Sequence, residues 1–261
     1  MKRIESKNND IFKNIKRLLL KPKNRKNSKR FVVEGLKEIM LCLESNYNLI
    51  ELFVCSEIHN KKHDDLYVKY KATNLSKNLY KELSYKEKGD GFLAIFHSKE
   101  FNLDQLILTE NPFILVAESP EKPGNIGAIL RTADAAGIDA VIIANPKTEM
   151  YNPNIIRSSL GSIFSSQIGI GKTKEVIEFL KRNKIKIIST LIKNSVDYSS
   201  VKFTGPCAII VGTESSPLSD DWVNISDESI NIPMKGKMDS LNLSVTAAIV
   251  IFEALKQRNA N

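Results

Sequence analysis

Apolar and polar positions in the first hundred residues follow short helical and extended patterns in turn. Residues 8–20 (NNDIFKNIKRLLL) repeat apolar residues at helical spacing, and Asn9 or Asp10 would cap the predicted helix. Pro22 ends that helix, and KNRKNSKR then predicts a polar loop. FVVEG, LIELFVCSE and GFLAIFH predict strands, whereas LKEIMLCLES and NLSKNLYKEL predict helices. These short elements predict a small α/β domain.

Beyond residue 110 the apolar runs are longer and the alternation is clearer. FILVAES, AVIIANP, IKIISTLI and CAIIVGTE predict buried strands. NIGAILRTADAAG, PNIIRSSLGSIFSS, TKEVIEFLKRN and SLNLSVTAAIVIFEALKQR predict helices. Continuous apolar strands between helices are typical of a mainly parallel sheet with both faces covered. HSKEFNLDQLILTE is the best candidate for a linker, which predicts an α/β chain with domains at residues 1–103 and 104–261.

Charge distinguishes the two domains. The chain has 261 residues and a net charge of +8. Residues 1–100 hold 22 Lys and Arg against 13 Asp and Glu, whereas residues 101–261 hold 16 against 17. Residues 11–33 contain no acidic residue. This block fits either a nucleic-acid partner, whose phosphates attract cations, or a solvated basic face. The candidates for phosphate contact are Lys23, Arg25, Lys26 and Arg30.

Composition argues against several other classes of protein. Hydrophobic residues make up 42% and charged residues 26%, which is typical of a globular protein. Cys42, Cys55 and Cys207 lack the spacing of a disulfide framework or metal site, so a reducing cytoplasm is expected. The N-terminus lacks a signal-peptide pattern, and no apolar run has the length of a membrane span. His59 and His63 fit a solvated pair better than a metal site, so no metal is predicted.

The first cluster of candidate functional residues is ESPEKPGNIGAILRTADAAG, which follows an apolar strand. A Pro-Gly-Asn turn opens a helix there, and Arg131 follows Asn125 by six residues. The N–H groups at a helix N-terminus can bind an anion. A capped helix with an exposed arginine is the alternative interpretation.

The second cluster, IIVGTESSPLS, ends a strand at Gly212 and continues with Glu214 in a polar loop. A glycine there would let the backbone approach a ligand closely, although a tight turn with a solvated glutamate explains the sequence equally well.

The third cluster is INIPMKGKMDSLNLSVTAA. Ser240 and Asn242 stand at the start of the last helix, where short polar side chains usually act as caps. Met234 and Leu241 lie between turn residues and could form an apolar slot with backbone donors. Such a slot suits an adenine ring.

Taken together and in this order, the clusters resemble the three motifs of the SpoU–TrmH family of ribose 2′-O-methyltransferases in the SPOUT superfamily. The resemblance covers residues 111–257, with NIGAILRTA as motif one, VGTE with LS as motif two, and IPMKG with SLNLSVTAA as motif three. NIIRSSLGSIF resembles the family's Arg-x-Ser helix, which adds Arg157 to the RNA-binding candidates. The basic block with FVVEG resembles, more loosely, a substrate-binding domain similar to an RNA-binding ribosomal protein.

The resemblance implies a deep C-terminal trefoil knot that binds S-adenosyl-L-methionine, and a homodimer formed through the knotted domain. It also implies methyl transfer to a ribose hydroxyl of RNA, with rRNA favoured over tRNA and without a metal ion. By position, Gly212, Ile232 and Leu241 match the residues whose backbones hold the cofactor in the family. Thr190 and Leu191 would line the same pocket, and Met234 of the apolar slot completes the set of cofactor candidates.

The resemblance also assigns catalytic roles. Arg131 is the central residue, and because arginine is almost always protonated, phosphate binding and polarisation of the hydroxyl are favoured over simple base action. Asn125, Ser240 and Asn242 would orient the ribose and Arg131, while Glu214 would hold the arginine or the loop.

Motif two departs from the family pattern. Ser215 and Pro217 stand where the family usually has glycines, so the loop is expected to be stiffer. A catalytically impaired RNA-binding relative is therefore one alternative function, and a tRNA ribose methyltransferase is another. A doubly wound oxidoreductase is disfavoured, because no G-x-G-x-x-G follows the first strand of the second domain.

Overall fold

The computed structural model describes residues 2–60, 64–85, 89–212 and 217–260. The strands are β1 Arg3–Ile4, β2 Arg30–Glu34, β3 Leu49–Val54, β4 Thr73–Leu75, β5 Phe92–His97, β6 Phe113–Glu118, β7 Ala140–Ala144, β8 Ile168–Gly171, β9 Lys186–Thr190, β10 Val196–Asp197, β11 Cys207–Val211 and β12 Glu228–Asn231. The helices are α1 Asp10–Leu20, α2 Pro22–Ser28, α3 Leu36–Glu44, α4 Asp64–Lys69, α5 Lys77–Leu83, α6 Pro123–Ala136, α7 Pro153–Ser159, α8 Ser162–Ser165, α9 Thr173–Arg182, α10 Asp220–Val223 and α11 Leu243–Asn259.

The chain divides into two compact units. Unit 1 comprises Met1–Glu100 and Glu149–Ser165, and unit 2 comprises Phe101–Thr148 and Ser166–Asn261. The sequence-predicted division after residue 103 leaves the segment Glu149–Ser165 in the second domain, whereas its contacts place it in unit 1.

Unit 1 contains a mixed five-stranded sheet in the order β1-β4-β3-β5-β2. Helix α1 begins after Asn9, whose side chain accepts a hydrogen bond from the Ile11 N–H, as an N-cap should. Its buried side chains pack in the core with apolar residues of β2, β3 and β5. The loop expected at KNRKNSKR is instead α2. Pro22 is compatible with this because it occupies the first turn of α2, where a missing N–H breaks no hydrogen bond.

An aromatic cluster joins Glu149–Ser165 to the rest of unit 1. The Phe31 ring stacks on Tyr151 with centroids 4.3 Å apart, and on Phe164 at 5.8 Å. The hydroxyls of Tyr47 and Tyr151 lie 3.3 Å apart. Burial raises the pKa of Tyr47 to about 12. The core of unit 1 therefore requires residues that lie after β7 in the sequence.

Unit 2 contains a seven-stranded sheet in the order β10-β12-β9-β11-β6-β7-β8, and every pairing in it is parallel. The prediction of a mainly parallel α/β sheet is confirmed. Strands β6, β7 and β11 are buried along their whole length, as expected of central strands in a parallel sheet. Helix α6 ends at Gly137, which adopts the left-handed conformation with φ 63°.

The order of the strands reverses beside β6. From β6 the chain proceeds outward through β7 and β8, whereas β11, β9, β12 and β10 lie on the other side. Open parallel sheets bind ligands at the carboxyl ends of the strands where this reversal occurs. The three motifs follow β6, β11 and β12, so two of them begin at the reversal itself. The trefoil knot implied by the resemblance stays a prediction.

None of the helices in the described ranges has both the length and the apolar composition needed to cross a membrane.

Candidate functional site

Motifs one and three are joined by a hydrogen bond between two side chains. Asn125 lies in the first turn of α6, and its Oδ1 accepts a hydrogen bond from Nδ2 of Asn242 at 3.2 Å. Asn242 caps α11, because its own Oδ1 accepts the backbone N–H of Ser244 at 2.9 Å. The capping role considered for Asn242 is therefore present, and the same side chain also connects the two motifs.

Arg131 lies on α6 beyond this contact and is exposed. It follows Asn125 by six residues, which corresponds to about 9 Å along a helix axis. Its guanidinium forms no hydrogen bond or ion pair with any other residue in the described ranges. The buried side chains of Ile126, Ile129 and Leu130 anchor the helix, so Arg131 presents a cation on a fixed support.

The end of β9 is hydrogen-bonded to both neighbouring strands, β12 and β11. The Leu191 N–H donates to the carbonyl of Ile230 at 2.9 Å, and the Thr190 hydroxyl donates to the carbonyl of Ile210 at 3.0 Å. Gly212 follows β11, and a Cβ added there would lie 3.4 Å from Leu218, which is an ordinary contact. Contacts with described residues therefore do not explain why residue 212 is a glycine. A ligand that approaches the backbone closely at this position would explain it.

Motif three supplies apolar side chains and unpaired backbone donors. Ile232 and Met234 are half-buried, and Leu241 is 38% exposed. In the part of the chain that the structure describes, the backbone N–H groups of these three residues make no hydrogen bonds. Apolar side chains beside unpaired backbone donors fit the adenine ring predicted from the sequence. Ser240 is exposed, and its hydroxyl donates to Oδ1 of Asp239 at 3.3 Å.

The middle of motif two lies outside the described residues. This applies to both Glu214 and Ser215, so their predicted roles stay predictions. Pro217 is described and exposed, and the next residue, Leu218, is buried.

Glu118 is a functional candidate that the sequence analysis missed. It ends β6, is only 6% exposed, and accepts hydrogen bonds from three donors. The Thr173 hydroxyl donates at 2.8 Å, while the Ser219 hydroxyl and backbone N–H donate at 2.8 and 2.9 Å. Because Ser219 closes motif two, Glu118 fixes the far end of that loop to the sheet. The feature of the sequence that could have identified Glu118 is its place as a carboxylate at the end of an otherwise apolar strand.

The basic block of unit 1 contains residues in two different environments. Lys23 and Lys26 lie on α2 and are exposed, as phosphate contacts should be. Arg25 is 5% exposed. Its Nε donates to Oε1 of Glu149 at 2.8 Å, and Nη1 donates to the carbonyls of Leu18 and Leu19.

The assignment of Arg25 to RNA binding is therefore corrected. The local sequence places it in a basic run, but its guanidinium is directed into unit 1, where its donors are occupied. Burial raises the pKa of the Glu149 carboxyl, and the adjacent Arg25 opposes that rise.

The remaining basic candidates are Arg30 and Arg157, both half-buried. The buried Nε of Arg30 has no hydrogen-bond partner among the described residues. Arg157 lies over the ring of Tyr85, with its guanidinium carbon 3.7 Å from the ring centroid.

No group of three or more His, Cys, Asp or Glu side chains in the described ranges is arranged to hold a metal ion. His63, one member of the histidine pair considered from the sequence, lies outside the described residues.

The parallel sheet with its joined motifs, together with the basic mixed-sheet unit, is the arrangement expected of an RNA methyltransferase of the SPOUT fold. Comparison with known families agrees with this class. The model of the SpoU rRNA Methylase family matches residues 112–252, and that of the MRM3-like substrate binding domain matches residues 8–94. The chain belongs to the SpoU rRNA methylase family, which confirms the family predicted from the motifs.

Two relatives align with nearly the whole of this chain. The 23S rRNA (guanosine(2553)-2′-O)-methyltransferase RlmP of Bacillus subtilis is 28% identical, over 97% of this chain and 98% of its own. The 23S rRNA (uridine(2479)-2′-O)-methyltransferase of Streptomyces viridochromogenes is also 28% identical, over 98% of this chain and 93% of its own.

Solved structures give the same class. A crystal structure of an RNA 2′-O ribose methyltransferase superposes with a TM-score of 0.87 and 34% identity, covering 98% of this chain and 99% of its own. The SpoU methyltransferase AviRb of Streptomyces viridochromogenes, in complex with AdoMet, has a TM-score of 0.87 and 26% identity, covering 97% and 99%. The methyltransferase class and the S-adenosylmethionine cofactor predicted from the motifs agree with these proteins.

Proposed function

We propose that this chain methylates a ribose 2′-hydroxyl of ribosomal RNA, with S-adenosylmethionine as the methyl donor. The observation that carries the proposal is the Asn125–Asn242 hydrogen bond, which joins the motif that bears Arg131 to the motif whose backbone N–H groups have no partner among the described residues. Two relatives that match nearly the whole chain are named as 23S rRNA 2′-O-methyltransferases, which favours ribosomal RNA as the substrate.

The cofactor would be held by backbone groups and apolar side chains of unit 2. Ile232, Met234 and Leu241 would receive the adenine, while Leu191 and Gly212 would line the same site at the ends of β9 and β11. Thr190 supports this edge through its hydrogen bond to β11. The bound cofactor supplies a methyl group on a positively charged sulfur.

Arg131 would position the substrate. A ribose hydroxyl is a poor nucleophile, so its orientation and the removal of its proton limit the reaction. The guanidinium presents several donors in one plane, which suits simultaneous contact with the adjoining phosphate and the 2′-oxygen. Asn125, Ser240 and Asn242 would orient the ribose, and Glu214 would hold Arg131 or the loop.

The overall reaction forms one bond and breaks another. The 2′-oxygen gains the methyl carbon as the methyl–sulfur bond breaks, and the hydroxyl proton leaves to solvent or to a local acceptor.

RNA would be held through the basic residues of unit 1. Lys23 and Lys26 are exposed on α2 and suit phosphate contacts, and Arg30 and Arg157 complete the proposed set. Arg25 is excluded because its donors are occupied within unit 1.

We also propose a homodimer formed through unit 2. Val245 and Phe252 are 45% and 49% exposed and stand seven residues apart, so they lie on one stripe of α11. Leu243, Ala247 and Val250 of the same helix are buried, so α11 is apolar on more than one face. A helix that is apolar all round is usually buried, and a second copy of this chain would cover the exposed stripe.

Radiolabelled methyl transfer tests the function. The full chain would be incubated with labelled S-adenosylmethionine and in vitro transcripts of 23S rRNA, 16S rRNA and tRNA. Label in 23S rRNA, located by mass spectrometry on a ribose 2′-oxygen, is the expected result. Label on a base or confined to tRNA would overturn the proposed reaction or substrate, and failure to bind the cofactor in calorimetry would overturn both.

A further inference from the structure

Tyr85 presents an exposed aromatic ring on unit 1. It follows α5, and its side chain is 66% exposed. The backbone is held in place, because the Tyr85 N–H donates to Oε2 of Glu34 at 2.9 Å and the Ser84 hydroxyl also donates to the Glu34 carboxylate. The Tyr85 ring is therefore exposed on a backbone segment that hydrogen bonds hold in place.

One face of this ring is covered by Arg157. The guanidinium carbon lies 3.7 Å from the ring centroid, a stacking distance, and α7 is anchored by the buried side chains of Ile155 and Ile156. The Arg157 side chain makes no hydrogen bond or ion pair with the rest of the described chain. Its N–H groups thus remain available to a phosphate while its plane supports the tyrosine.

Stability alone does not account for the pair. An exposed cation–π contact adds little to the stability of a fold. The large exposed fraction of Tyr85 leaves the ring face opposite Arg157 accessible to a planar partner. RNA proteins read unpaired nucleotides by stacking bases on aromatic rings and on arginine planes. The pair combines both features on the unit that carries the basic excess.

We propose that Tyr85 and Arg157 form a platform on which one unpaired base of the RNA substrate stacks, while Arg157 contacts a neighbouring phosphate. The proposal rests on the proposed function and deepens it. The platform would bind a looped or single-stranded segment of RNA, because bases inside a continuous duplex have no free face on which a ring can stack. Tyr85 and Arg157 would thus contribute to the choice of substrate site.

The test uses the full chain and a 12-nucleotide RNA of mixed sequence that contains 2-aminopurine, whose fluorescence falls when the base stacks. The probe is used single-stranded and annealed to its complement. We expect quenching by the wild type with the single strand only. Tyr85→Phe keeps the ring and should behave like the wild type. Tyr85→Leu should abolish quenching and weaken single-strand binding by about tenfold, the usual loss for one stacked base.

Salt dependence separates stacking from charge. Tyr85→Leu removes no charge, so the slope of log K against log salt should stay unchanged. Arg157→Lys keeps the charge but loses the plane, and should retain most of the slope while lowering affinity. An unquenched wild-type complex, equal quenching with the duplex, or Tyr85→Leu indistinguishable from Tyr85→Phe would overturn the platform.

Failure of the platform can be told apart from failure of the enzyme. If the wild type methylates 23S rRNA and Tyr85→Leu behaves like the wild type in rate and RNA affinity, the platform is wrong and the proposed function holds. If the quenching depends on Tyr85 but no methyl group is transferred to RNA, the platform holds and the proposed function is wrong. Unchanged S-adenosylmethionine affinity in Tyr85→Leu would verify that unit 2 is intact.

Discussion

Asn242 donates a side-chain hydrogen bond to Asn125 across 117 residues of sequence, at 3.2 Å. Both residues stand at the start of a helix, and α6 and α11 pack against each other. The contact therefore links the loop that would bind the adenine to the helix that carries Arg131. Under the proposed function, the positions of the cofactor and of the substrate would both depend on this pair of amides.

This contact gives a coupling prediction. Asn125→Ala and Asn242→Ala should each slow methyl transfer, and the double variant should be only slightly slower than the slower single variant, since contacting residues are not additive. Single-turnover rates of all four proteins form the cycle. Strictly multiplicative effects would show that the two amides act independently.

Arg131→Lys should abolish most methyl transfer while leaving S-adenosylmethionine binding intact. Lysine keeps the charge but lacks the planar set of donors, and loss of one positioned contact costs on the order of 10²–10³ in rate. Single-turnover rates with saturating RNA and cofactor isolate the chemical step. A variant within about threefold of the wild type would remove Arg131 from the mechanism.

Glu118→Gln should weaken cofactor binding, because the amide replaces one of the oxygens that receive Thr173 and Ser219. The cost of mispairing buried donors is about 1–3 kcal/mol, or roughly a tenfold rise in the Kd for S-adenosylmethionine. Asp104→Asn is a matched control, since the Asp104 carboxylate is exposed and pairs with Arg182 on the surface. Equal cofactor affinities in the two variants would argue against a role for Glu118 in fixing the end of the motif-two loop.

Arg25→Ala and Lys23→Ala should affect different properties. Removing Arg25 leaves the half-buried Glu149 carboxylate without its donor, which typically costs about 1–3 kcal/mol of unfolding free energy. Removing the exposed Lys23 should leave stability unchanged and lower the salt slope of RNA binding by about one. Urea unfolding and RNA titrations at several salt concentrations measure both. A stable Arg25→Ala variant with weakened RNA binding would reverse the correction made for this residue.

Phe252→Glu should convert a dimer into a monomer at micromolar concentration, because it places a charge in the exposed apolar stripe of α11. Ile107→Glu is the control, since Ile107 is 80% exposed and lies outside that helix. Sedimentation velocity gives the oligomeric state. A monomeric wild type would refute the interface.

Unit 2 is better studied within the full chain than as a C-terminal fragment. A fragment beginning near residue 105 would carry Tyr151 and Phe164 without their partners Phe31 and Tyr47 from the start of the chain. Cofactor binding is therefore better measured on the full chain, where the aromatic cluster is complete.

The sequence by itself determined the central strands, the main helices and the family. Strands β6, β7 and β11 are continuous apolar runs, and α6 ends at a glycine that adopts a left-handed conformation. Such features depend on local pattern and backbone preference, which the sequence displays directly. The short strands β8, β10 and β12 were missed because two to four residues carry too little periodicity.

Only the tertiary structure decided the environment of individual side chains. Arg25 belongs to a basic run, yet its carboxylate partner Glu149 lies 124 residues further along the chain. Glu118 and Ser219 are likewise separated by 101 residues, and Asn125 and Asn242 by 117. Charge and spacing along the chain specify which groups are available. Whether a group meets solvent, RNA or a buried partner depends on contacts between distant segments, which form only when the sheet and its helices pack.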